Sequence, residues 1–135
     1  MSLTPHGPGF SFLDSVEITE PGRRALGAKW LDPKSAFFAD HFPGDPRLPG
    51  VLLVECAAQA AGALWMQSKG GRSSDLAFLA GIQQFRFLKP VLPGDTVEIE
   101  VLSEKDFGTL ASFEATLRVR GAIVGQGKLT LSLQK

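Results

Sequence analysis

The stretch from Asp40 to Gln59, DHFPGDPRLPGVLLVECAAQ, carries the residue types that could do chemistry. His41 stands among Phe38, Phe42 and prolines. That rigid, apolar setting disfavours imidazolium and leaves a neutral imidazole available as a base. Glu55 interrupts an otherwise apolar run. A carboxyl group removed from water answers with a raised pKa or with a hydrogen-bonding partner. Gln59, four residues on, falls on the same helix face and can orient that carboxyl. Pro49-Gly50 precedes the run, so a helix starting at about Val51 leaves unpaired N–H groups and a positive dipole end near Gly50. Glycine lets a substrate oxygen approach that backbone closely. A donor so placed is typically worth about 2.7–4 kcal/mol in a transition state.

A base, an acid and a carbonyl polariser are what the elimination of water across Cα and Cβ of a thioester requires. The base takes the α-proton, the N–H groups hold the developing enolate, and the acid protonates the departing hydroxyl. Each proton-transfer group contributes typically about 10²–10⁴-fold. Plainer readings stand beside this one: a lone loop histidine, a structural Glu–Gln pair, and Pro-Gly passages that merely turn the chain. The residues alone leave both open.

The elements that must position these groups follow from patterning. Val51 to Met66 is almost continuously apolar or small, long enough for a helix and apolar nearly all round, which predicts a helix enclosed on every side. Glu55, Gln59 and its short length argue against a membrane span. Gly70-Gly71 ends it. Strands are expected over 12–18 and 24–30, joined by the turn Glu20-Pro21-Gly22. After the helix, 77–82 and 84–87 read as extended, with a turn around Pro90 to Asp95. Val97, Ile99 and Val101 alternate with glutamates. Residues 110–119 place Phe113, Ala115, Leu117 and Val119 on one face, and Leu129, Leu131 and Leu133 alternate at the end. One buried helix and about six mostly antiparallel strands suit a sheet wrapped round a central helix. The edges of such a sheet are open to pairing in a dimer.

Composition narrows the partners. The chain has 135 residues, 44% hydrophobic and 21% charged, which predicts one folded domain over 1–135 and not a disordered chain. Fourteen Lys and Arg balance fourteen Asp and Glu with no basic tract, so nucleic acid is a poor partner. One cysteine, Cys56, allows no internal disulfide, and with two histidines a Cys/His zinc site lacks ligands. Cys56 points about 100° round the helix from Glu55 and is expected to be a small buried residue. His6 is expected to be inert. Trp30 and Trp65 are expected in core, tunnel wall or dimer surface. The N-terminus has no cationic stretch followed by an apolar core, so the cytoplasm is the expected compartment.

These residues resemble the 3-hydroxyacyl-[acyl-carrier-protein] dehydratases of the FabZ/FabA type. The family pattern, roughly HFPGxPxxPGVLxxEAxAQ, stands here as His41-Phe42-Pro43-Gly44-Asp45-Pro46, Pro49-Gly50-Val51-Leu52, Glu55 and Gln59. Further matches are Phe78-Leu79-Ala80-Gly81-Ile82, Phe85-Arg86-Phe87, Lys89-Pro90-Val91-Leu92-Pro93-Gly94-Asp95 and, more weakly, Phe12-Leu13-Asp14 and Glu20-Pro21-Gly22. The resemblance implies an α+β hot-dog fold, a central buried helix wrapped by a curled antiparallel β-sheet. It implies a homodimer, alone or as a trimer of dimers, whose sites combine His41 of one subunit with Glu55 of the other. Gly50 N–H, with Val51 beside it, would hold the thioester carbonyl, and Pro49 and Gln59 would support the site. The substrate would ride on the phosphopantetheine arm of acyl carrier protein, in a pathway of fatty-acid or related lipid or polyketide synthesis, with no metal or bound cofactor.

Asp45 stands where the glutamate branch of the family carries a second histidine, while Glu55 pulls toward that branch, which does not isomerise its product. The chain also lacks tyrosine, which the family often carries early on. Arg86 and Lys89 are candidates for docking an acidic carrier protein, as are Arg23, Arg24 and Arg120, beside a plainer role as solvated charges. Two other functions use the same parts: a hot-dog thioesterase, with water attacking the polarised carbonyl, and a non-catalytic acyl-carrier-binding subunit.

Overall fold

A computed structural model of the chain describes residues 13–34, 50–70 and 76–134. The chain first makes a hairpin of β1 (Ser15–Glu20) and β2 (Arg24–Trp30). Helix α1 (Gly50–Ser68) follows, then β3 (Leu76–Phe87), β4 (Thr96–Asp106), β5 (Leu110–Val119) and β6 (Ala122–Gln134). The six strands form one sheet in the order β1-β2-β4-β5-β6-β3, antiparallel at every pairing. Consecutive strands from β4 to β6 are neighbours through short turns, whereas β3 sits at the far edge from β1. Because α1 comes between β2 and β3, the chain runs along the inner face of the sheet before closing that edge.

Period-two patterning builds the middle of the sheet. Val97, Ile99 and Val101 of β4, with Ala111, Phe113, Ala115 and Leu117 of β5, are buried and meet Leu53, Ala57, Ala61, Leu64 and Trp65 of α1 in one core. Each large side chain so buried stabilises by roughly 1.5–3 kcal/mol. The end of the helix is pinned by Trp65, whose indole Nε1 donates to Asp106 Oδ2 at 3.0 Å while its ring meets Phe113 edge-on at 6.2 Å. Gly70, at φ 87°, ends the helix in the left-handed conformation that glycine adopts without strain.

Three expectations need correction. The first strand begins at Ser15, not at residue 12, and Phe12 lies outside the described residues. The segments expected at 77–82 and 84–87 are one strand, β3, carrying two β-bulges against β6, between Leu79 and Gly81 and between Gln83 and Arg86. The last strand, in which Leu129, Leu131 and Leu133 alternate as expected, runs from Ala122 to Gln134 and includes Gly125 and Gly127. Finally, α1 is not enclosed on every side. Val51 is 75% exposed, and Glu55 and Ala58, on the same helical stripe, are half-buried. Among the described residues no helix is long and apolar enough to cross a membrane.

Candidate active site

The N-terminus of α1 is the first component. Gly50 is itself the first helical residue, one earlier than the patterning suggests. The first-turn N–H groups have no acceptor within the helix, and that turn holds no acidic residue to offset the dipole. Gly50 also lies against the ring of Phe87 from the end of β3: a Cβ added there would stand 2.9 Å from the ring's Cε2 and Cζ atoms. Only glycine fits without moving the ring.

The second component lies further along the same helix. Gln59 is 1% exposed and its Nε2 donates to Glu55 Oε1 at 3.3 Å, so the expected amide does orient the carboxyl group. The full desolvation expected for Glu55 is not reached in a single chain: the residue is half-buried, on the stripe of α1 shared with Val51 and Ala58. Cys56 next to it is buried, and burial pushes its thiol up to about 12, against an opposing attraction from Lys29. A thiol held that far up is not a nucleophile at neutral pH. His41 and Pro49, with Asp45, lie outside the described residues.

The basic candidates separate into two groups. Arg23 meets Glu20 at 3.6 Å, Arg24 meets Glu100 at 2.7 Å, and Arg120 meets Asp95 at 3.0 Å. These three are therefore tied into the protein itself. Glu100 accepts from both Arg24 and Arg118, and the Arg24 bond above all holds its carboxyl below the ordinary range. Arg86 and Lys89 are exposed, and neither makes an ion pair with a described residue. Arg86 borders a polar groove of about 340 Å³ with Gln84, Glu114, Thr116, Gln126 and Lys128.

A FabA-like domain model matches residues 4–128. The chain belongs to the FabA-like family. Within it, the chain is 39% identical to a protein of Roseiflexus castenholzii, over 98% of this chain and 92% of that one, and 40% identical to one of Bacillus velezensis, over 97% and 92%. Both are named 3-hydroxyacyl-[acyl-carrier-protein] dehydratase FabZ. Among solved structures it resembles the dehydratase heterocomplex ApeI:P from Xenorhabdus doucetiae, with a TM-score of 0.82 at 19% identity, covering 98% of this chain and 89% of that one. It also resembles the PaaI protein of Escherichia coli, with a TM-score of 0.66 at 15% identity, covering 87% and 82%. At such identities these two likenesses speak for the fold, and the α+β hot-dog arrangement is the one observed.

Two motif segments of this FabA-like chain have structural roles that patterning does not reveal. In Pro93-Gly94-Asp95, the buried Asp95 accepts the Leu92 N–H at 2.9 Å and the Arg120 guanidinium, locking the turn into β4. In Phe85-Arg86-Phe87, the aromatic rings face α1 while Arg86 faces outward beside Gln126. The usable signal for that pair is the two glycines opposite it, Gly125 and Gly127, in an otherwise ordinary strand.

Proposed function

We propose that this FabA-like chain is a (3R)-hydroxyacyl-[acyl-carrier-protein] dehydratase, a hydro-lyase that yields a trans-2-enoyl thioester and water. The observation that carries the proposal is the Gln59-oriented Glu55 carboxyl on the helix whose N-terminus opens at Gly50. The naming of its relatives as FabZ dehydratases supports the same reaction.

In this reading the substrate's thioester carbonyl accepts a hydrogen bond from the Gly50 N–H, with Val51 beside it. His41 takes the α-proton, and the electron pair left behind spreads onto the carbonyl oxygen. As the enolate collapses, the Cβ–O bond breaks and Glu55 delivers its proton to the leaving hydroxyl, releasing water. Gln59 keeps the carboxyl aimed.

The acid and the carbonyl site come from different copies of the chain. Gly50 and Glu55 are five residues apart, which turns them about 140° from each other round the helix and separates them by about 7.5 Å along it. A second copy brings its own Glu55 to the opposite side of the substrate and completes the cover over that half-buried residue. The edge strand β3 suits the contact: Phe78, Leu79 and Ile82 are 40–49% exposed, and β3 pairs with β6 alone among the described strands. Arg86 and Lys89 offer positive charge to an acidic carrier protein carrying the substrate on phosphopantetheine.

The test is direct. Purified protein incubated with 3-hydroxyacyl carrier protein should form the conjugated enoyl thioester, followed by its ultraviolet absorbance. Release of free thiol with no enoyl product would replace this reading with a thioesterase.

A further inference from the structure

The second bulge of β3 changes which way the strand's end faces. Gln83 is paired with Lys128 and Arg86 with Gln126, so Gln84 and Phe85 together oppose Gly127. Gln84 takes a left-handed conformation, φ 54°, which costs a non-glycine residue backbone strain. Were the strand paired residue for residue from Gln83 onward, alternation would send Phe85 and Phe87 to the outer face and Arg86 inward. With two residues opposite Gly127, both rings turn to the helix side.

Once turned, the rings need room, and β6 supplies it. A Cβ on Gly127 would stand 2.5 Å from the Phe85 Cα and 2.6 Å from its ring. A Cβ on Gly125 would stand 3.3 Å from the Arg86 carbonyl oxygen and 3.8 Å from the Phe87 ring. Phe85 therefore sits on the bare backbone of β6, half-buried against the core. Its ring supports Phe87 at 5.4 Å with a 38° tilt, and Phe87 in turn presses on Gly50. A strained glutamine and two glycines inside a strand are each unfavourable locally. Together they place one aromatic stack against the start of α1.

We propose that Phe85 is a positioning residue: seated on Gly127, it holds the Phe87 ring against Gly50 and so sets the place of the N–H that receives the thioester carbonyl. Phe85 acts through Phe87, whose ring supplies the three nearest atoms to a Cβ on Gly50. The role rests on the dehydratase reading above, in which Gly50 binds that carbonyl. A donor displaced by a fraction of an ångström binds the ground state almost as well but loses grip on the developing enolate. The effect therefore belongs in kcat more than in KM.

The experiment compares wild type with Phe85→Leu, which keeps apolar volume without a flat ring, and Phe85→Tyr, which keeps the ring. Glycine-selective isotope labelling follows the Gly50 amide resonance, which feels the ring current of Phe87. Phe85→Leu should move that resonance and lower kcat on 3-hydroxyacyl carrier protein roughly tenfold, with KM within a factor of about three. Phe85→Tyr should restore both. An unmoved Gly50 resonance overturns the proposal. So does an active enzyme whose kcat survives Phe85→Leu, or a loss confined to KM. If the resonance moves but wild type forms no enoyl product, the dehydratase reading has failed and the packing has not.

Discussion

The sheet has two unlike halves. Along β2 and β4 the register runs from Arg24–Leu102 to Trp30–Thr96 without a break, and β4 with β5 is shifted only near the turn that joins them. Along β3 and β6 it breaks twice, one break holding a left-handed glutamine and opposing Gly127. The regular half buries Val97, Ile99, Val101 and Phe113 under α1; the broken half leaves Phe78, Ile82 and Phe87 about half exposed. The first is a platform for the helix. The second faces the helix start and the open sheet edge, where substrate and a second subunit are proposed to meet. Regularity maximises burial, and the departures from it re-aim side chains toward a site.

Substitutions in the two halves should therefore fail differently. Phe113→Ala, beneath Trp65, should cost about 3–5 kcal/mol in urea denaturation. A loss below about 1 kcal/mol would show that the platform is not the stabilising half. Gly127→Ala in the broken half should cost about 1–3 kcal/mol by overpacking, because the new methyl meets the Phe85 backbone and not the end of a flexible side chain. An equal or larger cost than that of Phe113→Ala would erase the contrast.

A smaller effect is expected from the ion pairs on the platform. The Arg24 bond lowers the Glu100 pKa in the folded state, so the stability it contributes is present above the ordinary glutamate range. That contribution is lost as pH falls through the depressed folded value. Glu100→Gln should thus cost about 1 kcal/mol or less at neutral pH, and the gap to wild type should close in acid, as measured by denaturation across pH. A gap that widens in acid would reverse the sign. Smallest of all, Arg86→Ala and Lys89→Ala should raise KM for carrier-linked substrate roughly two- to fivefold, less so at high salt, with stability unchanged. No change in KM would remove both from the docking surface.

How much could be read from sequence divides along the same line. Alternation in β4 and β5, the length of the apolar helix, and the spacing of Glu55 to Gln59 are local patterns with fixed geometric meaning, and each is realised. The continuity of β3 was not legible, because a bulge shifts the period and Gln84 looks like a polar break. The first half of β6 was hidden for the complementary reason: its glycines are set by Phe85 and Phe87, far away in sequence. The half-exposure of Glu55 depends on what surrounds the helix, which no local pattern reports.

The central claim is that His41 and Glu55 of different copies serve one substrate. It is tested by mixing two inactive chains, His41→Ala and Glu55→Gln, under conditions that exchange subunits. Each alone should have lost about 10²–10⁴-fold in enoyl formation. With random pairing, half the dimers are mixed and each has one intact site of two, so activity should return to about a quarter of wild type. A mixture as inactive as its parents after verified exchange would contradict the shared site.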